Sequence, residues 1–575
     1  MNYINKLGIR FIKIIAIIIM CYLFLLSIFS TSIRSVKNYS GDALNPEWGR
    51  YIYFLADNPI KHLFIILSVI FILLILKSFM NEKKGIIRHK AISSKTICVF
   101  FFLFSCWFVL NTQFYPKSDP GKMLRIAQEI LNGDYHEFAK EGYMYRYPYQ
   151  SGFVLYCMLA LKIFNQYAFL MLQIFNAAFL TAMYFFLTKC AELLWECKRH
   201  ETINTLVYML CSIPLFFYIT FIYGNIPGLS LAVIAIYFEL RFFRESKFKW
   251  ILGASLCMGI AVAFKSNCMI FMIAMLIVLL MNFLQKRKMR DLLTAVLLIL
   301  LCYIIINKGV CLTMENLAGV KLSQGMPKSA FVMMGLEEGM AAPGVENGSS
   351  NRIFEENGYD YALTDKAAKE LIIARMKTYV TDWKLGIDFF ARKQAAQCNE
   401  ATYQCFSIIE ERKTEVVVPS SINYFIMGRG KYQLTEFLNI IQSIIIFGVC
   451  AYIFSFNSKK QKIDELIFLL VYIGGFVFQI FWEAKSQYLL IFFFVLLPYM
   501  IKGYSIIVER LYNFIRKIDL KMFNRKKIFS VVAGAVLCIL TTISLMNSWT
   551  FNHVIKIQSD EMILQEYYEI MEEEK

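Results

Sequence analysis

The 575-residue chain predicts an all-α polytopic membrane protein, on three observations. Hydrophobic residues make up 58% of it and aromatic ones 16%, for a mean hydropathy of +0.51. Charged residues are only 18%, against about a quarter in soluble domains, and they gather between apolar blocks. Many of those blocks approach or exceed the roughly 20 residues that cross a bilayer core.

Taken in order, about 13 transmembrane helices are expected, at 9–29, 62–80, 96–113, 168–188, 203–222, 227–243, 250–266, 267–284, 292–309, 435–456, 463–482, 488–502 and 528–547. The first, Leu7 to Phe29, is long and has no small-residue cleavage site after it, so it is expected to remain as a span. Residues 1–95 then form an N-terminal hairpin, 96–310 a membrane module with a large outer loop at 114–152, and 311–434 a small mixed extracytoplasmic domain. Residues 435–547 are further spans, and 548–575 a tail ending in solvated acids.

Orientation follows from the excess of Lys and Arg in cytoplasmic loops. With Lys6, Arg10 and Lys13 inside, the same frame puts six later clusters inside. These are Lys83 to Lys95, Lys189 to Arg199, Arg241 to Lys249, Lys286 to Arg290, Lys459 to Lys462 and Arg516 to Lys527. Counting apolar segment 152–164 as a full crossing would invert most of them. It is therefore expected to be re-entrant or interfacial, or else a short span that breaks the parity. Either way Asp119, Tyr223 to Asn225, Lys265 to Asn267 and Glu483 to Tyr488 face the extracytoplasmic side.

Within the outer loop, Asp119-Pro120 reads as an N-cap followed by proline at the first helical position. Leu124, Ala127, Ile130 and Leu131 give that helix an apolar face, and Gly133 ends it. In the late outer region an amphipathic helix is expected, capped by Thr364 or Asp365, with Leu371, Ile372, Met376 and Tyr379 on one face. No internal repeat is evident, which disfavours an inverted-repeat transporter.

Several classes drop out. The net charge of +17 comes from loop clusters with no nucleic-acid motif, so nucleic acid is not an expected partner. The 15 cysteines fall mostly within spans and act as small apolar residues. The five histidines show no ligand spacing, and no metal is expected.

Chemistry-bearing residues concentrate on the outer side. A carboxylate at Asp119, beside the membrane, is placed to act as acid or base on a lipid-linked substrate. Its rivals in the loop are Glu129, Glu137, Glu141 and above all Asp134. Arg146-Tyr147-Pro148-Tyr149 reads either as an interfacial belt with a snorkelling arginine or as a site for phosphate and sugar, since arginine forms bidentate bonds to phosphate. Lys265 lies between two apolar runs, where a cation is costly and often functional. Glu483, Lys485 and Tyr488 share that setting, and Lys117 sits just before Asp119.

The order of these features resembles the GT-C membrane glycosyltransferases, in particular glycosyltransferase family 39, the protein-mannosyltransferase-like and aminoarabinose-transferase-like group. The features are an outer-loop Asp119, a helix ending in Asn132-Gly133-Asp134-Tyr135, then Tyr147-Pro148-Tyr149. Further matching stretches are FIYGNIPGLSLAVIAIYF, GIAVAFKSNCMIFMIA, MPKSAFVMMGL and WEAKSQYLLIFFFVLLPY, so the resemblance runs from about 96 to 502. It implies a GT-C-type fold and an inverting transfer of sugar from a polyprenyl-phosphate donor to an envelope glycan, glycolipid or protein acceptor. Asp119 takes the catalytic position, and no cofactor is implied. Members often carry arginine immediately before the late tyrosine, where this chain has Gln487, with Lys485 as the available substitute. A polysaccharide polymerase or a lipid-linked sugar flippase is the alternative.

Overall fold

The computed structural model describes residues 2–34, 51–82, 93–195, 201–286, 289–339, 341–410, 412–457, 462–517 and 548–573. The predicted span 528–547 and the basic residues 83–90 lie outside that set. Among the described residues ten helices are long and apolar enough to cross a membrane. A bent pair, Glu201–Cys211 with Ile213–Thr220, turned by 73°, is apolar and long enough only when its two helices are taken together. Phe248–Phe264, at 17 residues, is a shorter apolar helix between two such spans. The chain is thus a multi-pass membrane protein, helical apart from one short strand pair among the described residues.

The first elements are α1 (Asn2–Phe29), β1 (Ser30–Arg34), β2 (Ile52–Ala56), α2 (Pro59–Glu82) and α3 (Ser94–Thr112). The loop that follows holds α4 (Ser118–Leu131) and α5 (Tyr143–Arg146), and leads to α6 (Ser151–Phe164) and α7 (Ala168–Trp195). Next come α8 (Glu201–Cys211), α9 (Ile213–Phe217), α10 (Asn225–Glu245), α11 (Phe248–Phe264), α12 (Met269–Lys286) and α13 (Met289–Ala318).

One end of this bundle gathers the expected outer groups. The Gln173 side chain near the start of α7 donates to Phe114 O just past α3 (2.7 Å), and Phe169 stacks on Tyr115. A Cβ on Gly152 would lie 2.2 Å from Ala263 O, so the start of α6 abuts the end of α11. Both ends of α6 therefore sit at the same end of the bundle. At 14 residues, about 21 Å of rise, α6 is shorter than the hydrocarbon core of a bilayer. Asn165, at φ 49°, makes the turn into α7.

Strands β1 and β2 pair antiparallel, Ser30 opposite Ala56 and Arg34 opposite Ile52. This hairpin sits where a plain helical hairpin was expected. It is stitched onto later segments: Ser32 N donates to Asn399 O (3.2 Å) and Ile52 N to Ala341 O (3.2 Å).

The expected mixed domain at 311–434 is instead helical: α14 (Lys328–Gly335), α15 (Ser349–Glu356), α16 (Tyr361–Thr381), α17 (Trp383–Cys398), α18 (Cys405–Glu410) and α19 (Ser420–Ile426). The only strands among the described residues are β1 and β2. Nor does the region close a core on its own. Met326, Ala330, Phe331, Met334, Phe354 and Ala368 are buried together, with Tyr145, Tyr147 and Trp482 packed against them. The cap of α16 is Asp360, which accepts from Leu363 N (2.8 Å), not Thr364 or Asp365. Thr364 instead donates to Asp360 O, and Asp365 takes Ser329 and Lys369. Ala368 and Ile372 face the core, while Leu371 is 42% exposed.

The chain closes with α20 (Gly430–Ser455), α21 (Ile467–Phe481), α22 (Ser486–Phe493), α23 (Leu497–Lys517), α24 (Trp549–Val554) and α25 (Glu561–Glu573). Ser559 N returns to Phe54 O (3.0 Å), so the tail packs on the hairpin. Helices α20 and α23 touch backbone to backbone: a Cβ on Gly503 would lie 1.8 Å from Gly448 O. Small residues at such crossings let spans approach. Gly503→Ala is expected to cost about 3 kcal/mol or more, as overpacking against backbone, read as a lower midpoint in a detergent-solubilised thermal melt. An unchanged melt would contradict this packing.

Candidate active site

Helix α4 starts two residues earlier than the sequence indicates. Lys117 is the N-cap, and Asp119 lies in the first turn without capping it. The chain enters through Ser118 at φ 54°, a conformation that L-residues adopt sparingly. The buried face is Met123, Ile126, Ala127 and Ile130, with Leu124 and Leu131 at its edge. Gly133, at φ 83°, follows the last turn as expected. Asp119 is left exposed at the helix start, and its carboxylate makes no hydrogen bond or ion pair among the described residues.

It opens into a cavity of about 810 Å³. Of the residues expected to form the site, Asp119, Lys117, Arg146, Tyr147, Glu483, Lys485 and Tyr488 all line it. Lys265 stands just behind the wall, its Nζ 4.1 Å from the centre of the Tyr223 ring and 5.4 Å from that of Tyr488. It is the last residue before the turn from α11 to α12. Gly224 permits this approach, since a Cβ there would strike Phe264 O at 2.0 Å. Burial pushes the Lys265 ammonium down to about 8, with Asp119 acting in the opposite direction. Burial, and after it Asp119, also pushes up the phenols of Tyr143 and Tyr223.

Glu483 is buried; it accepts from Tyr488 OH (3.1 Å) and lies 3.9 Å from Lys485 Nζ. Arg146 lines the cavity, but its donors are committed elsewhere. They reach Glu355 (2.8 Å), Asn351 (3.3 Å), Tyr359 OH (3.4 Å) and Glu141 O (3.2 Å), so that it fastens α5 to α15. Tyr147 OH joins the same clasp through Asn351 (2.9 Å).

Two lining residues went unnoticed in the sequence. Arg412 is 6% exposed; its guanidinium donates to Thr220 O (2.6 Å) and Thr220 Oγ1 (3.0 Å) and covers the Phe221 ring at 5.5 Å. Burial lowers it to about 9, and no described carboxylate offsets that. The run Ile409-Glu-Glu-Arg-Lys413 reads as a solvated helix end, so nothing local marks it. Glu346 sits in an Ala-Pro-Gly turn sequence that has no signature either. Burial first, and then the neighbouring Glu483, raises its carboxyl to about 7. Its folded value lies above the unfolded one, so the folded state holds the extra proton between about 4.5 and 7. Stability therefore falls as pH rises through that window. Glu346→Gln is expected to flatten this fall in a pH series of thermal melts; an identical slope would contradict the burial of the carboxyl.

Of the rivals to Asp119, Glu129 and Glu137 pair with Arg125, while Glu141 lines the cavity and its carboxylate has no partner among the described residues. Asp134 accepts from His136 N (3.0 Å) and pairs with its ring (2.8 Å), away from the cavity lining. Contrary to the expectation that no histidine joins a ligand-like group, Glu129, His136 and Glu137 do converge, their ligand atoms within 4.8 Å of one another. Sequence spacing hides this because a helix turn and a loop separate them. Arg125 already supplies positive charge there, 3.0 Å from Glu137 and 3.7 Å from Glu129.

No family model matches the chain, and no curated protein matches it. Among solved structures it is similar to the oligosaccharyltransferase AglB of Archaeoglobus fulgidus bound to an inhibitory peptide and a dolichol-phosphate. The identity is 12% and the TM-score 0.40, over 81% of this chain and 57% of that one. The apo form of the Archaeoglobus oligosaccharyltransferase gives 12% and 0.41, over 82% and 57%. ArnT from Cupriavidus metallidurans gives 13% and 0.30, over 72% and 78%. The chain thus spans little more than half the length of the oligosaccharyltransferase. At such TM-scores the likeness carries no weight for function, which rests on the cavity's own chemistry.

Proposed function

We propose that this chain is a GT-C-type membrane glycosyltransferase. It moves a sugar from a polyprenyl-phosphate donor to an envelope acceptor on the extracytoplasmic face, with inversion. The observation that carries this reading is the unpaired Asp119 carboxylate at a polar cavity lined by Lys485 and Arg412, with Lys265 just behind its wall. Asp119 takes the proton from the acceptor hydroxyl, whose oxygen forms the new bond to the anomeric carbon. The bond from that carbon to the phosphate oxygen breaks, and its electron pair leaves with the phosphate. Lys265 and Lys485 receive the charge that develops there. A lipid phosphate is already a good leaving group, so side chains suffice for this scheme. Lys265, set between two spans, meets a carrier arriving from the bilayer.

Arg412 favours keeping one second reading in view. A buried cation beyond Lys265 also suits a lipid-linked oligosaccharide, as handled by a polysaccharide polymerase or flippase. Mass spectrometry of envelope glycans from a deletion strain separates the two. The transferase reading expects loss of one sugar from an otherwise intact glycan, whereas a change in chain length alone would count for the polymerase.

A further inference from the structure

Lys393, on α17, is a wholly buried lysine with no part in the scheme above. Its ammonium donates to Gly335 O at the end of α14. Its methylenes lie against Gly344: a Cβ there would come 2.9 Å from Lys393 Cε and 3.0 Å from Cδ. Gly344, at φ 72°, in turn accepts from Ala484 N (2.7 Å). A Cβ on Gly335 would lie 2.4 Å from Phe481 O, so the end of α14 and the 481–485 loop are in direct contact. Three segments thus close around one amine, and two of them carry Glu346, Glu483 and Lys485 into the cavity.

The elements packed against Lys393 bear Glu337, Glu338, Glu346, Asp388, Arg392, Glu483 and Lys485. Glu337 pairs with Arg375 (3.0 Å), and Arg392 with Glu338 and Asp388. Glu483 is the group whose charge acts on Lys393. Burial brings the lysine down to about 7, so it changes charge near neutrality.

We propose that Lys393 is a positioning residue: from behind the cavity wall it pins the loops bearing Glu346 and Glu483, and places a positive charge behind Glu483. The proposal rests on the transferase reading for what the wall does, and on geometry alone for the pin. Lys393→Met keeps the chain length without the amine, and Lys393→Gln can still donate to Gly335 O without the charge. Both are made in the full-length protein, reconstituted with a radiolabelled undecaprenyl-phosphate sugar.

The wild-type to Lys393→Met rate ratio is expected to be about ten below pH 6.5, where the lysine is charged, and to shrink above pH 8.5 to the smaller part owed to the hydrogen bond alone. Lys393→Gln, which keeps the donor and lacks the charge, is expected to lie between wild type and Lys393→Met at low pH. A ratio that does not change with pH, or a Gln variant as fast as wild type, would overturn the proposal and leave the transferase reading standing. Absence of transfer by the wild type would sink that reading instead, and melting midpoints then test Lys393. The folded value lies below the unfolded one, so wild type should gain stability over Lys393→Met as pH rises from about 7 toward 9. A constant difference between their midpoints would overturn the proposal.

Discussion

Asp119→Asn is expected to lower sugar transfer by about 10²- to 10⁴-fold, the usual contribution of a positioned general base. The variant keeps the shape of the side chain and loses only its ability to take a proton. Asp119 neither caps α4 nor bonds to any described residue, so the change removes no structural contact. Expression, membrane insertion and melting midpoint are therefore expected to match wild type, which isolates the chemistry. Transfer at the wild-type rate by Asp119→Asn would remove this residue from the mechanism. A loss of folding would show that the α4 start depends on the carboxylate in a way its geometry does not indicate.

Lys265→Met is expected to cost about 10²- to 10³-fold in kcat, comparable to the loss of one donor that stabilises developing negative charge. The ammonium is held between the Tyr223 and Tyr488 rings with Asp119 as an electrostatic partner, and it has been stripped of water. Such a charge is strong toward a phosphate because little solvent screens it. Its low value, about 8, supplies a second test. Lys265 is charged below that pH and loses its charge above it, so wild-type transfer is expected to fall as pH rises past about 8. Lys265→Arg keeps its charge over that range and is expected to lose the alkaline fall even if its rate is lower. A wild-type profile that stays level to pH 9.5 would argue that Lys265 is not the phosphate's partner.

Much of this architecture is legible in the order of residues because bilayer physics is blunt. Long apolar runs specify spans, and the basic loops mark α6 as re-entrant or interfacial, or else as a short span that breaks the parity. Its start abuts Ala263, and the helix after it begins beside Tyr115. The juxtamembrane helix at Asp119 could be read from Pro120, its apolar periodicity and Gly133. What stayed hidden is long-range. Arg146 looks like a phosphate ligand in its own loop, and only the return of α15, some 200 residues later, shows its donors spent on Glu355 and Asn351. Arg412 and Glu346 lie in segments without periodicity or motif, and burial by distant elements makes them part of the wall. The β1–β2 hairpin is set by partners at Asn399 and Ala341, which no local propensity anticipates.

The most direct measurement places purified protein in proteoliposomes with a radiolabelled undecaprenyl-phosphate monosaccharide and an envelope-derived acceptor fraction, and follows the label. Wild-type vesicles should consume the donor, release the lipid phosphate and leave a single sugar of inverted anomeric configuration on the acceptor, while Asp119→Asn vesicles leave the donor intact. Unconsumed donor with active-site side chains intact, or a product that retains configuration, would contradict a carboxylate acting as base across from a lipid phosphate.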